Sequence, residues 1–236
     1  MQSLTIVVPA FNEAASIEHT IRDALEIGAQ VTADLEVIVC NDGSRDDTAR
    51  LAKATGVRVL DRPINRGIEA SMRALYANAR GEWTFLMSAD RQWPMTALIP
   101  MAAAADDGAD FVIGVRANKR EIYTPYRRAI SWSYERIVRA LGAPGGDPGS
   151  IKLARTRLLH APVTATGVFA EGERIIRAAR GGARVVEVPV EFHRRGAGKA
   201  TGARRDVVTR ALVDAVRVTS SLITGWPKPT LPKSDV

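Results

Sequence analysis

The first 115 residues alternate short β-branched apolar runs with stretches of helical period. Strand-like runs fall at Leu4 to Val8, Leu35 to Cys40, Val57 to Leu60, Trp83 to Met87 and Phe111 to Val115, each bounded by polar or turn-forming residues in the way of a buried strand. Between them the spacing predicts helices at Ala14 to Ile27, Asp46 to Thr55, Gly67 to Ala79 and Pro94 to Ala105. This alternation predicts an α/β fold with a mostly parallel central sheet flanked by helices. After Arg116 the pattern changes to a long amphipathic helix, Tyr126 to Leu141, and then a Gly- and Pro-rich stretch from Gly142 to Ser150 that reads as a loop or lid. A last alternating strand is expected at Val185 to Phe192, with Pro189 placing it at an edge or bulge. A final helix follows at Arg204 to Ile223, and a tail rich in Pro and Lys is expected to be disordered.

Composition narrows this picture. With 236 residues and 46% hydrophobic content the chain can bury one sizeable core. The single cysteine, Cys40, lies in a predicted core strand. That excludes a disulfide framework and a cysteine-rich metal site, fits a reducing compartment, and makes Cys40 a small packed hydrophobe. Met1 to Leu4 runs straight into the first strand without a signal-peptide pattern. No window approaches the roughly 20 apolar residues that cross a bilayer, so the expectation is a cytoplasmic chain, soluble or peripheral on the membrane face.

Net charge is +7 and the isoelectric point is near 10.0, which favours phosphates, anionic lipid surfaces or nucleic acid. The charge gathers at Arg116 to Arg120, Arg127-Arg128 and His193 to Lys199. Neither aromatic stacking platforms nor a reading helix accompanies it, so nucleic acid is not an expected partner.

Three polar clusters follow predicted strands: Pro9-Ala10-Phe11-Asn12-Glu13, Asn41-Asp42-Gly43-Ser44-Arg45-Asp46-Asp47-Thr48 and Ser88-Ala89-Asp90-Arg91-Gln92. The C-terminal edge of a parallel sheet is where such folds collect ligand groups. In the second cluster Gly43 permits a tight turn, and Ser44 with Asp47 forms a capping-box pattern. Carboxylates at two strand ends, with arginines arriving later in the chain, describe a site for a diphosphate and a divalent cation. Plainer roles are a turn-stabilising Asp42 and a helix-capping Asp90.

Taken together, these residues resemble family 2 glycosyltransferases of the GT-A fold, and within them the polyprenyl- or dolichol-phosphate mannosyl- and glucosyltransferases. The likeness runs from Leu4 to Gly202, through Val7 to Glu13, Asn41 to Ser44, Asn65-Arg66-Gly67, Ser88 to Gln92, Asp147-Pro148-Gly149-Ser150, Glu187 to Val190 and Arg194 to Lys199. It implies a single glycosyltransferase domain over 1–224, with a nucleotide-binding half at 1–115, an acceptor-side half at 116–224, and a disordered tail at 225–236. The resemblance also implies that Pro9, Phe11, Glu13, Asp42, Ser88, Ala89, Arg195 and Lys199 hold the nucleotide sugar. It sets Asp90 and Gln92 on Mg²⁺ or Mn²⁺, and Arg116, Arg127 and Ser131 on an acceptor phosphate. Departures from the family pattern are Asn41 and Ser88 where acids are usual, Glu69 in place of a second Gly, and Ala200 in place of Ser. With one carboxylate missing, metal binding is expected to depend on bound nucleotide.

The implied reaction is inversion by in-line displacement, from a nucleoside-diphosphate sugar to a polyprenyl phosphate. The acceptor phosphate is already ionised near neutral pH, so positioning and charge control dominate. A hydroxyl acceptor would need a carboxylate base, for which Asp147 is the candidate. A non-catalytic nucleotide-sugar binder is the third reading, favoured by Ser88. A lipid acceptor further implies a membrane surface or a membrane partner. The last helix can place Val207, Val208, Ala211, Leu212, Ala215 and Val218 on one face bordered by Arg204, Arg210 and Arg217, a face suited to lipid or to the protein's own sheet.

Overall fold

A computed structural model describes residues 1–144, 147, 149–193 and 205–223, with the backbone alone described at 120 and 205–208. Four parallel strands joined by three helices come first: β1 (Ser3–Ala10), α1 (Ile17–Val31), β2 (Asp34–Asp42), α2 (Thr48–Ala54), β3 (Arg58–Arg62), α3 (Ile68–Asn78) and β4 (Trp83–Leu86). A 3-10 turn at Met95–Ala97 then leads into α4 (Leu98–Asp106), followed by β5 (Phe111–Arg116) and α5 (Lys119–Ile122). The remainder is α6 (Pro125–Ala140), β6 (Lys152–Arg155), α7 (Thr156–Leu159), α8 (Phe169–Arg180), β7 (Val185–Val190) and α9 (Arg205–Ile223).

The described strands form one seven-stranded sheet in the order β3-β2-β1-β4-β6-β5-β7. Pairs β1–β2, β1–β4, β2–β3 and β5–β7 are parallel, whereas β6 runs antiparallel to both β4 and β5. The expected mostly parallel, doubly covered sheet is therefore present. Pro189 lies on β7, at the sheet edge, where its missing N–H costs no ladder bond.

Alternation along the strands feeds two cores. Leu4, Ile6 and Val8 pack with Ile17, Ile21 and Ala24 of α1 and Leu98 and Met101 of α4. On the other face Val7, Ile38 and Cys40 meet Met72 and Leu75 of α3, Phe169, Ile175 and Ile176 of α8, and Ala215 and Val218 of α9. Cys40 is buried there as a packed residue. Of the apolar face expected on α9, Ala215 and Val218 thus lie against the protein, while Leu212 is exposed together with Val213, Val216 and Ile223. The side chains of Val207 and Val208, Arg204, and the tail at 225–236 lie outside the described residues.

Four elements, α5, β6, α7 and α8, have no counterpart among those expected from the sequence. The four residues of β6, Lys-Leu-Ala-Arg, carry no β-branched side chain. Helix α8 is amphipathic in sequence, yet it buries Glu173, Arg174 and Arg177 together with its apolar residues. The capping box is also not formed. Asp47 is the N-cap residue of α2 without a side-chain cap bond, and Ser44 Oγ instead accepts from Asn12 N at 2.9 Å. Gly43 does make its turn, at φ +70°, and a Cβ there would stand 2.5 Å from the Ile64–Asn65 backbone. The glycine therefore lets the loop before α3 lie directly against the end of β2.

Candidate active site

At the C-terminal ends of β1 and β2 the two loops are laced together. Asn12, in the left-handed region at φ 55°, accepts from Arg45 N at 2.9 Å through Oδ1, and Glu13 N donates to Thr48 Oγ1 at 2.8 Å. Asp46 Oδ2 accepts from Ala14 N at 3.1 Å. Phe11 projects outward, 44% exposed, while Pro9 lies at the cleft wall.

Asp42 ends β2 and is buried. Its two oxygens accept from Arg66 N at 3.0 Å and Gly67 N at 2.8 Å, and Arg62 stands 3.3 Å away. The side chain thus holds the distant Asn65-Arg66-Gly67 loop, whereas the local turn bond, from Ser44 N at 3.3 Å, goes to Asn41 Oδ1. Asn41, where an acid was expected, donates through Nδ2 to Asp61 at 2.7 Å. A carboxylate at 41 would face Asp61 with like charge, so the amide is the fitting residue here.

Beyond β4, Asp90 Oδ1 accepts from Ser88 Oγ at 2.5 Å and from Gln92 N at 3.2 Å. Asp90 therefore closes an Asx turn and does not cap a helix, since the residue before the Met95–Ala97 turn is Pro94. Ala89 is buried, and its carbonyl accepts from Thr20. His193 N donates to Gln92 O at 2.7 Å, and Gln92 Nε2 donates to His193 O at 3.3 Å. The residue just past β7 is thereby fixed beside Asp90. Arg195 and Lys199 follow it but lie outside the described residues.

The residues expected on the acceptor side lie near one another, linked through Tyr123, Lys119 and Glu135. Arg116, at the end of β5, contacts Asp147 Oδ1 at 2.5 Å and lies over the rings of Trp93 at 4.6 Å and Phe192 at 4.4 Å. Tyr123 sits between the two expected arginines, with Arg127 at 4.2 Å and Arg116 at 5.7 Å from its ring. Ser131 Oγ donates to Glu135 Oε1 at 2.9 Å, Glu135 pairs with Lys119, and Lys119 reaches Asp147 Oδ2 at 3.4 Å. Asp147 is buried and meets a cation at each oxygen. Lys119, Tyr123 and Glu135 were not singled out from the sequence. Lys119 carried a signal only as part of a basic run.

Between these two walls is a cavity of ≈ 200 Å³ whose lining includes Pro9, Glu69, Ser88, Trp93, Lys152 and Glu171. Its inner wall is ionic. Arg174 spans Glu69 at 3.2 Å and Glu171 at 2.8 Å, and Lys152 lies 3.2 Å from Glu171. Burial raises the Glu69 carboxyl above the usual carboxylate value, with Arg174 opposing. Burial likewise pulls the Lys152 ammonium below the ordinary lysine value, although Glu171 favours its charge. Glu171 is held below the usual value, because Lys152 and Arg174 together outweigh its burial.

The described residues hold no cluster of three or more His, Cys, Asp and Glu side chains suited to a metal. Asp90 with Ser88 and Gln92 is instead a partial set of oxygen donors. It fits Mg²⁺ or Mn²⁺ only if a diphosphate completes the coordination.

Comparison with known proteins follows the same lines. The model of glycosyl transferase family 2 matches residues 5–160. The undecaprenyl-phosphate 4-deoxy-4-formamido-L-arabinose transferase of Klebsiella pneumoniae subsp. pneumoniae is 29% identical over 164 residues, 66% of this chain and 50% of that protein. Its namesake from K. pneumoniae strain 342 is 28% identical over the same shares. The chain thus spans about half the length of the curated relatives it matches. Glucosyl-3-phosphoglycerate synthase from Mycobacterium tuberculosis, in complex with phosphoglyceric acid, superposes with a TM-score of 0.74 at 19% identity, covering 99% of this chain and 82% of that one. The same enzyme with Mn²⁺, uridine diphosphate and glucosyl-3-phosphoglycerate gives 0.66 at 21%, over 99% and 82%. At these identities the likeness is one of fold, a GT-A-like α/β sheet flanked by helices.

Proposed function

The chain belongs to glycosyltransferase family 2, and from that premise we propose that it transfers a sugar, with inversion, from a nucleoside diphosphate to a polyprenyl phosphate. One observation carries the choice of acceptor. Trp93, three residues beyond Asp90, stacks on Arg116, and Tyr123 links Arg116 to Arg127. Two arginines thus lie beside the strand end proposed for the leaving diphosphate, at a place that suits a second phosphate. The names of the curated relatives, which transfer a sugar to undecaprenyl phosphate, support the same acceptor.

In this reading Pro9, Phe11, Glu13 and Asp42 face the nucleoside, Asp42 through the loop it holds. Ser88 and Ala89, with Arg195 and Lys199, attend the diphosphate. Arg116, Arg127 and Ser131 orient the acceptor phosphate. Asp147 holds Arg116 in place and does not act as a base, because each of its oxygens already meets a cation. Asp90 and Gln92 would hold Mg²⁺ or Mn²⁺ together with the donor diphosphate. Such an ion supplies charge neutralisation for the departing nucleoside diphosphate.

The unit proposed for this chemistry is 1–224. No described helix is long and apolar enough to cross a membrane, and we propose a peripheral position on the cytoplasmic membrane face. Exposed Leu212, Val213, Val216 and Ile223 on α9 support it.

The test is to incubate the full chain with labelled uridine- and guanosine-diphosphate sugars. Three acceptors are offered: a short polyprenyl phosphate, the matching polyprenol, and 3-phosphoglycerate. Label entering the lipid phase only with the polyprenyl phosphate is expected. Label on the polyprenol would move the reading to a hydroxyl acceptor, label on the phosphoglycerate to a small phosphorylated one, and binding without transfer to a nucleotide-sugar-binding role.

A further inference from the structure

The ionic inner wall of the cleft has no part in the transfer proposed above. Lys152 is 1% exposed, donates to Ser150 O at 2.9 Å, and lies 3.2 Å from Glu171 Oε2. Glu171 also accepts from Tyr76 OH at 3.1 Å and from Arg174 at 2.8 Å. Arg174 in turn reaches the Glu69 oxygens at 3.2 and 3.3 Å. An ammonium has three donors, so these two contacts leave Lys152 with one N–H to place. A buried donor in this state calls for a partner, and Lys152 is among the residues lining the cavity.

The position of that cavity limits what the partner can be. Lys152 opens β6 opposite Leu86 of β4, two residues before Ser88. Ser88 and Pro9 line the same cavity, so it lies beside the strand end proposed for the diphosphate. At ≈ 200 Å³ it is smaller than pockets that take whole drug-sized ligands, about 300–1,000 Å³. One sugar ring fits such a volume, and a nucleoside diphosphate does not. Met72, Trp93 and Val168 give apolar surface for ring C–H faces, and Lys152 supplies a charged donor.

Resting on the glycosyltransferase reading, we propose that this cavity seats the transferred sugar and that Lys152 determines which sugar is accepted. Lys152 donates to an oxygen on the ring, on a carbon remote from the anomeric centre. Glu69 and Arg174 are positioning residues that fix Lys152 through Glu171. The chain carries Glu69 at a site where the family it resembles has glycine, and Glu69 meets its partner Arg174 across 105 residues of sequence. The network therefore belongs to this chain's own selectivity and not to the transfer step in general.

The experiment is calorimetric titration of the full chain with UDP and GDP alone, and with their glucose, mannose, 4-deoxyglucose and 6-deoxyglucose esters. The variants are Lys152→Met and Val168→Phe, the second filling the cavity from its exposed side without touching a buried charge. Both should bind the bare diphosphate within about twofold of wild type. Lys152→Met should weaken the preferred nucleotide sugar on the order of ten- to a hundredfold, the worth of one charge-assisted hydrogen bond. The deoxy sugar lacking the contacted oxygen should be indifferent to that change. Val168→Phe should lose the contribution of every sugar. Sugar preference unchanged in both variants overturns the assignment, as does an equal loss for sugar ester and bare diphosphate. If Lys152→Met does not fold, Val168→Phe decides. A wild-type chain that binds diphosphates but no sugar ester overturns the assignment while leaving a nucleotide site. A chain that binds neither overturns the glycosyltransferase reading as well.

Discussion

The two walls of the cleft are made of different materials. On the β1–β2 side, polar side chains at the strand ends bond to backbone amides of neighbouring loops: Asp42 to Arg66 and Gly67, Ser44 to Asn12, Asp46 to Ala14. Across the cleft, on β5 and β6 and on the inner wall built by α3 and α8, largely buried side chains bond to one another as charges: Arg116 with Asp147, Arg174 with Glu69 and Glu171, Lys152 with Glu171. The first kind of wall fixes a loop and tolerates the loss of any one bond. The second is costlier to break at a single point, because each removal takes a charged partner from a group with little access to water, although Asp147, Glu69 and Glu171 each keep a second cation, Lys119, Arg73 and Lys152. A cleft with one wall of each kind can hold a common donor group on the first and discriminate on the second.

The largest effect should come from the strand end between the walls. Asp90→Ala is expected to lower turnover by about a hundredfold or more and to remove any metal dependence of nucleoside diphosphate binding, with the melting temperature nearly unchanged. Metal titration and a thermal scan of the same sample would check both halves. Retained activity would show that the strand end between the walls needs no charge.

Next in size is the ionic wall itself. Arg174→Met removes the cation shared by Glu69 and Glu171, leaving Glu69 with Arg73 and Glu171 with Lys152, and should cost about 1.5–3 kcal/mol of unfolding free energy, the worth of hydrogen bonds between charged groups, read by denaturant titration. A cost under about 1 kcal/mol, the range of exposed pairs, would erase the contrast between the walls. Among the residues proposed for the acceptor, Arg127→Ala should raise the Michaelis constant for a lipid phosphate by the equivalent of about 1.5–3 kcal/mol, with donor affinity intact. A fall in donor affinity instead would move Arg127 to the diphosphate.

Acidity separates the walls more gently. Lys152 has a native value below that of an ordinary lysine, from burial first, with Glu171 and Asp147 favouring the charge and Arg174 opposing it. As pH rises between the lowered value and the ordinary one, the unfolded chain still holds the proton that the native chain has shed. Native stability therefore gains from Lys152 in that window. The ammonium disappears from the cavity over the same range, so sugar preference should fall while the melting temperature gains. Both trends should vanish in Lys152→Met. The smallest effect is expected for Ser44→Ala, about 0.5–1.5 kcal/mol for one hydrogen bond on the loop-bound wall.

This contrast also explains what could be read along the chain. The β1–β2 wall is written in contiguous letters, because Asn41 to Thr48 and Ser88 to Gln92 each sit at the end of the strand that delivers them. The grouping of Arg116, Arg127, Ser131 and Asp147 became legible only through family likeness, since Tyr123, Lys119 and Glu135 bind them together across turns of α5 and α6. The Glu69–Arg174 chain had no local signal beyond an unexpected glutamate. Its partner lies on a helix whose charged residues read as a solvated face although they are buried, and β6 between them is too short and too polar to be seen.

That short strand has a consequence for how the protein is made. Strand β6 is the piece that joins β4 to β5, pairing Trp83 with Arg155 on one side and Phe111 with Ala154 on the other. Until the ribosome has delivered residue 152 and those after it, the nascent chain carries two completed strands whose facing edges have nothing between them. Exposed edges of this kind are templates for pairing with other chains. A fragment ending before Lys152 should thus aggregate or require a chaperone. The segment that supplies the cavity's ammonium is also the keystone whose arrival closes the sheet.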